Sequence, residues 1–587
     1  MINIIKRDKN LNKEEVKKIA RELKTTESVV SLLLNRGYEK EELYKYIQTD
    51  EFAIGGHDSI TNSTEAAEII AKVLSNDDAE IYVYGDYDCD GIMSTSIANG
   101  VLTAIKEALE SKVNINIKVP NRFEGYGLSL DWCKKTFPKK VKKETLVMTV
   151  DNGITKYKEV EYLQSKGITV IITDHHAPKK GEVPNCLVVD PWLYDTDNEN
   201  ALGLCGASVA YKVFGRVLEL FEADESFIFN YLPNATIATI TDVMPTTQEN
   251  VGIVGLGLWQ MKQGFAKEAL MYYRNYINKD ISITDIGFDI GPQINACGRM
   301  GEIQLALDFM NAEDEDDLED IYNHMVNLND ERKTLEKNIY DELIKKDYSK
   351  DLFIVEHVAN LGGVGGTVAS KMISAYNKPV ILLGGNGTIV HGSARSVEGL
   401  NLHELFKYEV EKGNMINFGG HHGAAGVIVD INKIDDLRQS LNELLMAIIL
   451  TKTEAGVIER EQDITIEVDD IIELKDIKKA TVKDYDEMLF FGTLKEPIFA
   501  IKNLDVLEAR SSSNNPDHLC LNLEDNTCKA KKNRYGKMVG KEIWVWNKMN
   551  EYKRLGSPNK VHLIGKLVPD FRNPKYYTFS VEQIIPA

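Results

Sequence analysis

The sequence predicts an α/β protein of several domains whose first large domain holds a parallel sheet, and three observations carry that prediction. Short β-branched runs recur between residues 81 and 189 with amphipathic stretches between them, as parallel strands with helical crossovers require. A second pattern of the same kind begins near residue 352, after a highly charged segment free of glycine and proline. The chain has 587 residues, and at roughly 100–200 residues per domain it needs three or four hydrophobic cores.

Taken in order, residues 1–55 read as an N-terminal helical segment. Residues 56–310 hold the strand-like runs IYVYG (81–85), TLVMTV (145–150), ITVIIT (168–173) and LVV (187–189). After the first run, Ile97, Val101, Ala104, Ile105 and Leu109 follow at helical spacing. Residues 311–346 carry Leu318, Ile321, Met325, Leu328, Leu335, Ile339 and Leu343 among charges, and read as long connecting helices. Residues 347–452 form a second α/β domain: LFIVE (352–356), the glycine-rich turn GGVGGTVASK (362–371) opening a helix, PVILL (379–383), and glycine-rich blocks at 392–396 and 419–426. From residue 453 to 587 the pattern turns strand-rich with polar breaks, as a small OB-like β-barrel would give.

Apolar runs such as 146–150 fall far short of the ~18 residues a membrane span needs. MINIIKRDKN places charges where a signal peptide has its apolar stretch, so a cytoplasmic location is expected. The seven cysteines, Cys89, Cys133, Cys186, Cys205, Cys297, Cys520 and Cys528, are scattered without a C-x-x-C pair, which argues against a disulfide frame or a cysteine zinc site. The net charge of −21 is unevenly spread. Residues 501–587 have 15 Lys+Arg against 9 Asp+Glu, and the remainder 54 against 81, so the tail is the basic part.

Each strand-like run of the first domain is followed at once by an aspartate. These are Asp86, Asp88 and Asp90 in YGDYDCDG (84–91), Asp151 in VDNGI, Asp174 with His175 and His176 in TDHHAP, and Asp190 in VVDP. Asp242 in ATITDVMP (238–245) follows another apolar run. The carboxyl ends of parallel strands lie along one edge of a sheet, so these acids converge on one cleft. A single aspartate in such a place is often only a helix cap. Many together repel one another unless a cation neutralises them, and carboxylates with a few imidazoles suit Mn²⁺ or Mg²⁺. Two ions bridged by one carboxylate would activate a water and stabilise both the attacking and the leaving oxygens of a phosphodiester.

At DYDCDG, DNG and DHH the chain resembles the DHH phosphoesterase superfamily, and specifically the RecJ-type single-strand exonucleases. The likeness runs from about residue 55 to 500. It takes in PNRFEGYGL (120–128), LCGASVA (204–210), GPQINACGRMG (291–301), GGVGGTVASK, HGSARS (391–396), GGHHGAAG (419–426) and FFGTLKEPIF (490–499). The resemblance implies that Asp86, Asp88, Asp90, Asp151, His175 and Asp242 hold metal, with Asp151 as the bridge. His176 belongs to the catalytic set, and Asp174 and His176 support the ligands. It implies that Arg122, Tyr126, Arg299, Ser393, Arg395, Gly420 and His421 bind substrate, with guanidinium forks on phosphate and the tyrosine face on a base. Some relatives carry histidine at the position of Tyr84, which implies one ligand fewer here. His422, Gly423, TTQEN (246–250) and TLKEP (493–497) also depart from the family pattern.

In the tail, Lys529, Lys531, Lys532, Arg534, Lys537 and Lys541 interleave with Tyr535, Trp544 and Trp546, as a stacking and electrostatic groove requires, or as a solvated loop beside a tryptophan core would. The expected activity is hydrolysis of single-stranded DNA, 5′ to 3′ and processive, releasing nucleotides in repair, recombination or replication. It would use two Mn²⁺ or Mg²⁺ ions and act as a monomer, with a single-strand-binding protein or helicase as partner and no membrane. The alternatives are a DHH phosphodiesterase for short oligoribonucleotides or cyclic dinucleotides, and a non-catalytic DHH replication scaffold. The long tail favours a polymer substrate, and the intact acid set speaks against a scaffold.

Overall fold

The computed structural model describes residues 2–9, 11–41, 43, 54–179, 181–397, 399–420, 422–454, 464–478, 497–513, 515–546, 548–570 and 573–587. The chain divides into two compact units, residues 54–459 and residues 1–53 together with 460–587.

The N-terminal segment is not purely helical. It opens with a strand, β1 (Ile2–Lys6), followed by the helices α1 (Lys13–Glu22) and α2 (Glu27–Arg36). Asn12 and Thr26 cap the two helices through their side chains, and Gly37, at φ +107°, ends the second in the left-handed conformation that glycine adopts without steric cost.

In the larger unit, α3 (Ser63–Leu74) leads into β2 (Glu80–Tyr84), α4 (Cys89–Ala108), β3 (Asn114–Lys118), α5 (Leu130–Thr136), β4 (Thr145–Val150), α6 (Tyr157–Ser165), β5 (Thr169–Thr173) and β6 (Leu187–Val189). The five strands form an all-parallel sheet in the order β3-β2-β4-β5-β6. Strand β4 is buried along its whole length, as a central parallel strand covered on both faces must be. Ile81, Val83, Met148 and Ile171 pack against α3, α4 and α7 (Gly206–Leu220), while Tyr84, Val147 and Ile172 pack against α5 and α6. From β2 the chain runs outward to β3 and then returns to place β4 on the other side. The sheet order therefore reverses between β2 and β4, and a cleft opens at their carboxyl ends.

Helices α8 (Leu232–Thr241), α9 (Gln248–Gln263) and α10 (Gly291–Met300) complete this body. The charged segment forms one 29-residue helix, α11 (Glu315–Leu343), whose buried side includes Leu318, Met325, Leu328, Ile339 and Leu343. It leads to β7 (Ile354–Val358), α12 (Gly365–Tyr376), β8 (Val380–Gly384), β9 (Ile389–Arg395), α13 (Leu402–Lys412), β10 (Asn417–Gly420), β11 (Ala424–Asp430) and α14 (Ile434–Glu454). This second sheet is mixed, in the order β10-β11-β9-β8-β7, with only β7 and β8 parallel.

The C-terminal residues supply β12 (Ile464–Val468), β13 (Asp470–Ile472), β14 (Phe499–Ser511), β15 (Leu519–Glu524), β16 (Lys531–Lys532), β17 (Met538–Val539), β18 (Lys541–Val545), β19 (Lys560–Asp570) and β20 (Asn573–Pro586). Strands β18-β15-β14-β19-β20 make an antiparallel half-barrel, bent by register shifts at Val506/Glu508, Ile501/Leu504 and Ile564/Gly565. Most of the block FFGTLKEPIF (490–499) lies outside the described residues. No helix among the described residues is long and apolar enough to cross a membrane.

Strand β1 pairs in parallel with β12, joining the two ends of the chain. Asp469 sits beside that pairing with its side chain 2% exposed, and accepts from Arg36 Nε at 2.9 Å, Arg36 Nη2 at 2.6 Å, Arg7 Nη1 at 3.1 Å and the Ile498 N–H at 2.8 Å. Removing one partner of a buried pair strands the other charge, so Asp469→Ala is expected to destabilise this unit by about 3–5 kcal/mol. Denaturant unfolding of the full chain should resolve the effect, and a loss within about 0.5 kcal/mol would mean that the anchor carries no net stability.

Candidate active site

The turn after β2 folds back on itself so tightly that a Cβ on Gly91 would stand 2.5 Å from the Asp86 carbonyl oxygen. Asp88 caps α4, its Oδ1 accepting from the Gly91 N–H at 3.1 Å. Asp90, in the first turn of α4, accepts from the Gly206 and Ala207 N–H groups at the start of α7, both at 2.7 Å. Asp151 leaves β4 at φ +62°, a conformation aspartate tolerates better than most residues. After β5, Asp174 accepts from the backbone N–H groups of Ile154 at 2.9 Å and His175 at 2.8 Å, and lies 2.7 Å from His176 Nδ1. That leaves the neighbouring ring turned inward, with His175 Nε2 at 3.2 Å from Asp151, 3.5 Å from Asp90 and 3.8 Å from Asp242. Asp242 follows the last turn of α8 and is followed by Val243 at φ +54°, an unusual conformation for a β-branched residue.

Three sets of ligand atoms lie within 4.8 Å of one another: Asp86, Asp88 and Asp151; Asp90, His175 and Asp242; and Asp151, His175 and His176. Burial, aided by Asp88 for the first and by Asp90 and Asp88 for the second, pushes the carboxyls of Asp86 and Asp151 well above the usual range. Desolvation, although 41% of its side chain is exposed, and the same neighbours push Asp242 up to about 8, and burial with Asp174 nearby does the same to Asp190. Burial works against charge on His176 too, but the adjacent Asp174 carboxylate outweighs it and raises the ring to about 9. Oδ1 of Asp86 is buried without a hydrogen-bond partner, and Oδ1 of Asp151 accepts no hydrogen bond although His175 Nε2 stands 3.2 Å from it. Oxygens desolvated at this cost and left without a hydrogen bond fit a divalent cation.

Of the other predicted residues, Asp190 caps the short helix Pro191–Tyr194 through Trp192 N–H and belongs to none of the three sets. Tyr84 packs edge-on against Trp132 at 4.9 Å in the hydrophobic core. The Tyr126 hydroxyl lies 3.1 Å from His176 Nδ1, and its ring meets Tyr87 edge-on. Arg122 stacks over the Tyr87 ring at 4.6 Å, its buried Nε without a partner. Arg299 donates to the Gly363 carbonyl at 3.0 Å. Burial and then the neighbouring Arg122, Arg332 and Arg395 lower its pKa to about 10. Burial followed by Arg122 also lowers Arg395, which lies on β9 two residues beyond Ser393. Gly420 ends β10 at φ +140°, and His421 lies outside the described residues.

Several neighbours of the site carried no functional signal in the sequence. Arg332 and Glu336 look like an ordinary surface i,i+4 pair, yet both side chains are largely buried. Arg332 donates to Glu336 at 2.9 Å, and Lys371 of α12 stands 3.2 Å from the same carboxylate. Tyr87, hidden between two aspartates, is the platform under Arg122.

Comparison with known proteins gives two family matches, the N-terminal domain of the DHH family over residues 80–239 and the DHHA1 domain over residues 353–447. The chain is 29% identical over 530 residues to the single-stranded-DNA-specific exonuclease RecJ of Bacillus subtilis, covering 88% of this chain and 64% of that protein. It is 28% identical over 407 residues to the protein of the same name from Escherichia coli, covering 65% and 68%. Among solved structures, an exonuclease RecJ bound to manganese is 27% identical with a TM-score of 0.58, covering 66% of this chain and 96% of that one. RecJ of Thermus thermophilus in complex with Mn²⁺ matches in fold with a TM-score of 0.75 at 22% identity, covering 100% and 79%. The chain thus spans a little under two thirds of the Bacillus subtilis relative.

Proposed function

Because this chain belongs to the RecJ-type DHH phosphoesterases, we propose that it is a divalent-metal-dependent exonuclease that hydrolyses single-stranded DNA. The observation that carries the reading is the acid cluster around His175, with two buried carboxylate oxygens, on Asp86 and Asp151, that accept no hydrogen bond. Asp86, Asp88, Asp90, Asp151, His175 and Asp242 hold Mn²⁺ or Mg²⁺, two ions in all, with Asp151 common to two of the three ligand sets. Divalent ions bound there supply water activation and charge neutralisation at a phosphodiester. Asp174 fixes the His176 ring beside the cluster, and in the metal-free protein its carboxylate raises the ring's pKa. Arg122, Arg299 and Arg395 hold substrate phosphate, which offsets the cost of gathering like charges. Ser393 and Gly420 serve the same phosphate subsite, and Tyr126 meets the terminal base.

A 5′-to-3′ processive course fits a site in which terminal phosphate is gripped on one side of the acids. We take the protein to work in the cytoplasm, where its seven free cysteines stay reduced, as a monomer to which a single-strand-binding protein or helicase delivers substrate. End-labelled single- and double-stranded DNA and RNA incubated with Mn²⁺, Mg²⁺ or EDTA tests the proposal. Metal-dependent shortening of single-stranded DNA is expected. Cleavage confined to short oligoribonucleotides or cyclic dinucleotides would replace this reading with the phosphodiesterase one, and no cleavage of any kind would leave a scaffold.

The half-barrel we take as an OB-like module that grips the strand through charge and stacking. Trp544 and Trp546 lie nearly parallel at 6.4 Å, Arg510 stands over Trp544 and Arg534 over Tyr535, and a cavity of about 290 Å³ opens beside the two tryptophans.

The raised carboxyls also give the centre a pH signature. A carboxyl whose folded pKa exceeds its unfolded value near 4 stabilises the metal-free fold at low pH and loses that contribution as pH rises through the folded value, here about 8 for Asp242. Metal requires the ionised forms, so the rise in Tm on adding Mn²⁺ is expected to grow between pH 6 and pH 9, with protons released on binding. Calorimetry across that range, in buffers of different ionisation enthalpy, checks both signs. A Tm increment independent of pH would mean that the Asp242 carboxyl does not face the ion.

A further inference from the structure

The block LCGASVA (204–210) contributes no ligand, yet its first helical residue lies against two of the proposed ones. We propose that Gly206 is a positioning residue of the metal centre: its lack of a side chain lets the start of α7 hold Asp90 while Asp151 stands against it. The inference rests on the metal-site reading above and deepens it.

The first four N–H groups of any helix lack partners within it. At α7 the residue before the helix, Cys205, makes no side-chain cap, and the caps come instead from another element. Asp90 Oδ2 accepts from Gly206 N–H and Oδ1 from Ala207 N–H, at 2.7 Å each, with the carboxylate 3% exposed. Each oxygen has two lone pairs, so this pairing uses one per oxygen. It fixes the plane of the carboxylate and leaves the remaining lone pairs toward His175, whose Nε2 is 3.5 Å from Oδ2, and Asp242. The partial positive charge of a 15-residue helix also falls on Asp90, which burial otherwise pushes toward protonation.

Only glycine permits this approach. A Cβ at position 206 would stand 2.4 Å from Asp151 Oδ1 and 2.6 Å from both Cβ and Cγ of Asp151. Either α7 withdraws from Asp90, which disturbs the set Asp90, His175 and Asp242, or Asp151 turns out of the cluster, which disturbs the other two sets. Groups that orient ligands without touching the ion typically govern tenfold to hundredfold in affinity.

The test is Mn²⁺ binding by the full chain, followed by titration calorimetry and by the electron paramagnetic resonance of free and bound Mn²⁺. Gly206→Ala is expected to weaken binding at least about tenfold. The matched control is Gly215→Ala on the same helix, where a Cβ would meet the His57 ring at 2.3 Å, away from the acids. It crowds the same helix by a contact as close and is expected to lower the metal-free Tm without changing Mn²⁺ affinity. Ala207→Pro removes the second N–H at a first-turn position where the helix itself uses none, and is expected to weaken Mn²⁺ binding as well, so the inference stays testable if Gly206→Ala does not fold. Wild-type Mn²⁺ affinity in either variant, or an equal loss in the Gly215→Ala control, would overturn it. Mn²⁺ bound by the wild type without DNA cleavage in the same samples would overturn the nuclease reading alone, and a wild type that binds no Mn²⁺ would overturn both.

Discussion

Replacing Asp151 by asparagine is expected to lower DNA hydrolysis on the order of 10⁴-fold, the scale on which enzymes lose rate when a group essential to the chemistry is removed. The metal-free protein should be no less stable. Asp151 is shared by two of the three ligand sets, so losing its charge weakens the holding of both ions, and the neighbouring Asp86, Asp88 and Asp90 cannot move through a close-packed interior to replace it. In the metal-free state the same carboxyl is a liability: buried, one oxygen without a hydrogen bond, and held well above the ordinary carboxylate range by burial and by Asp90 and Asp88. Asparagine removes that liability, tolerates φ +62° and keeps the volume. Alanine would add the cost of a left-handed residue without a short polar side chain, about 1–3 kcal/mol, and would mix strain with chemistry. The expected pattern is therefore near-zero turnover, a metal-free Tm equal to or above wild type at pH 8, and loss of the Mn²⁺-induced Tm increment. Substantial turnover by folded Asp151→Asn would sink the assignment of the bridge.

The parts of this centre that could be read in the sequence share one physical cause. Strands β2, β4, β5 and β6 are covered on both faces, so they appear as unbroken apolar runs, and a polar residue directly after each one is conspicuous. Strand β3 escaped that reading because NINIK alternates asparagine with isoleucine and no residue of it is fully buried. The first strand, β1, escaped it because its partner β12 lies more than 450 residues away, a pairing no local pattern encodes. The same limit applies within the site. Asp90 sits in a visible motif, but its hold on Gly206 and Ala207 joins positions 116 and 117 residues apart. Glu336 was hidden in the opposite way: on a helix rich in acids and bases its neighbours in sequence suggest a solvated face, and only tertiary packing buries it against Arg332 and Lys371. Residue types at strand ends were therefore legible, and the contacts that orient them were not.

Arg395→Ala is expected to abolish the preference for 5′-phosphorylated over 5′-hydroxyl strands, a preference of about 10- to 150-fold if the guanidinium makes charge-assisted hydrogen bonds worth about 1.5–3 kcal/mol to the terminal phosphate. In the structure one Nη1–H of Arg395 goes to the Ala394 carbonyl at 2.9 Å. That contact orients the fork and leaves other N–H groups for a ligand. The fork lies against the first turn of α12, where a Cβ on Gly366 would come within 2.7 Å of Nη2, so glycine is what admits it. Arg122 and Arg299 belong to the same cluster, and like charges brought together at the expense of their own protonation are stabilised when an anion arrives. If Arg395 grips the 5′ phosphate, single-turnover rates on 5′-phosphorylated strands fall to the 5′-hydroxyl rate while Mn²⁺ binding is unchanged, because none of the three acid sets includes it. If it serves only to brace β9 against α12, both substrates lose rate equally and the ratio survives. The direction of digestion is tied to the same contact: an end recognised by its phosphate fixes which residue enters the acid cluster first, so wild-type digestion from the 3′ end would refute the pocket and the polarity together.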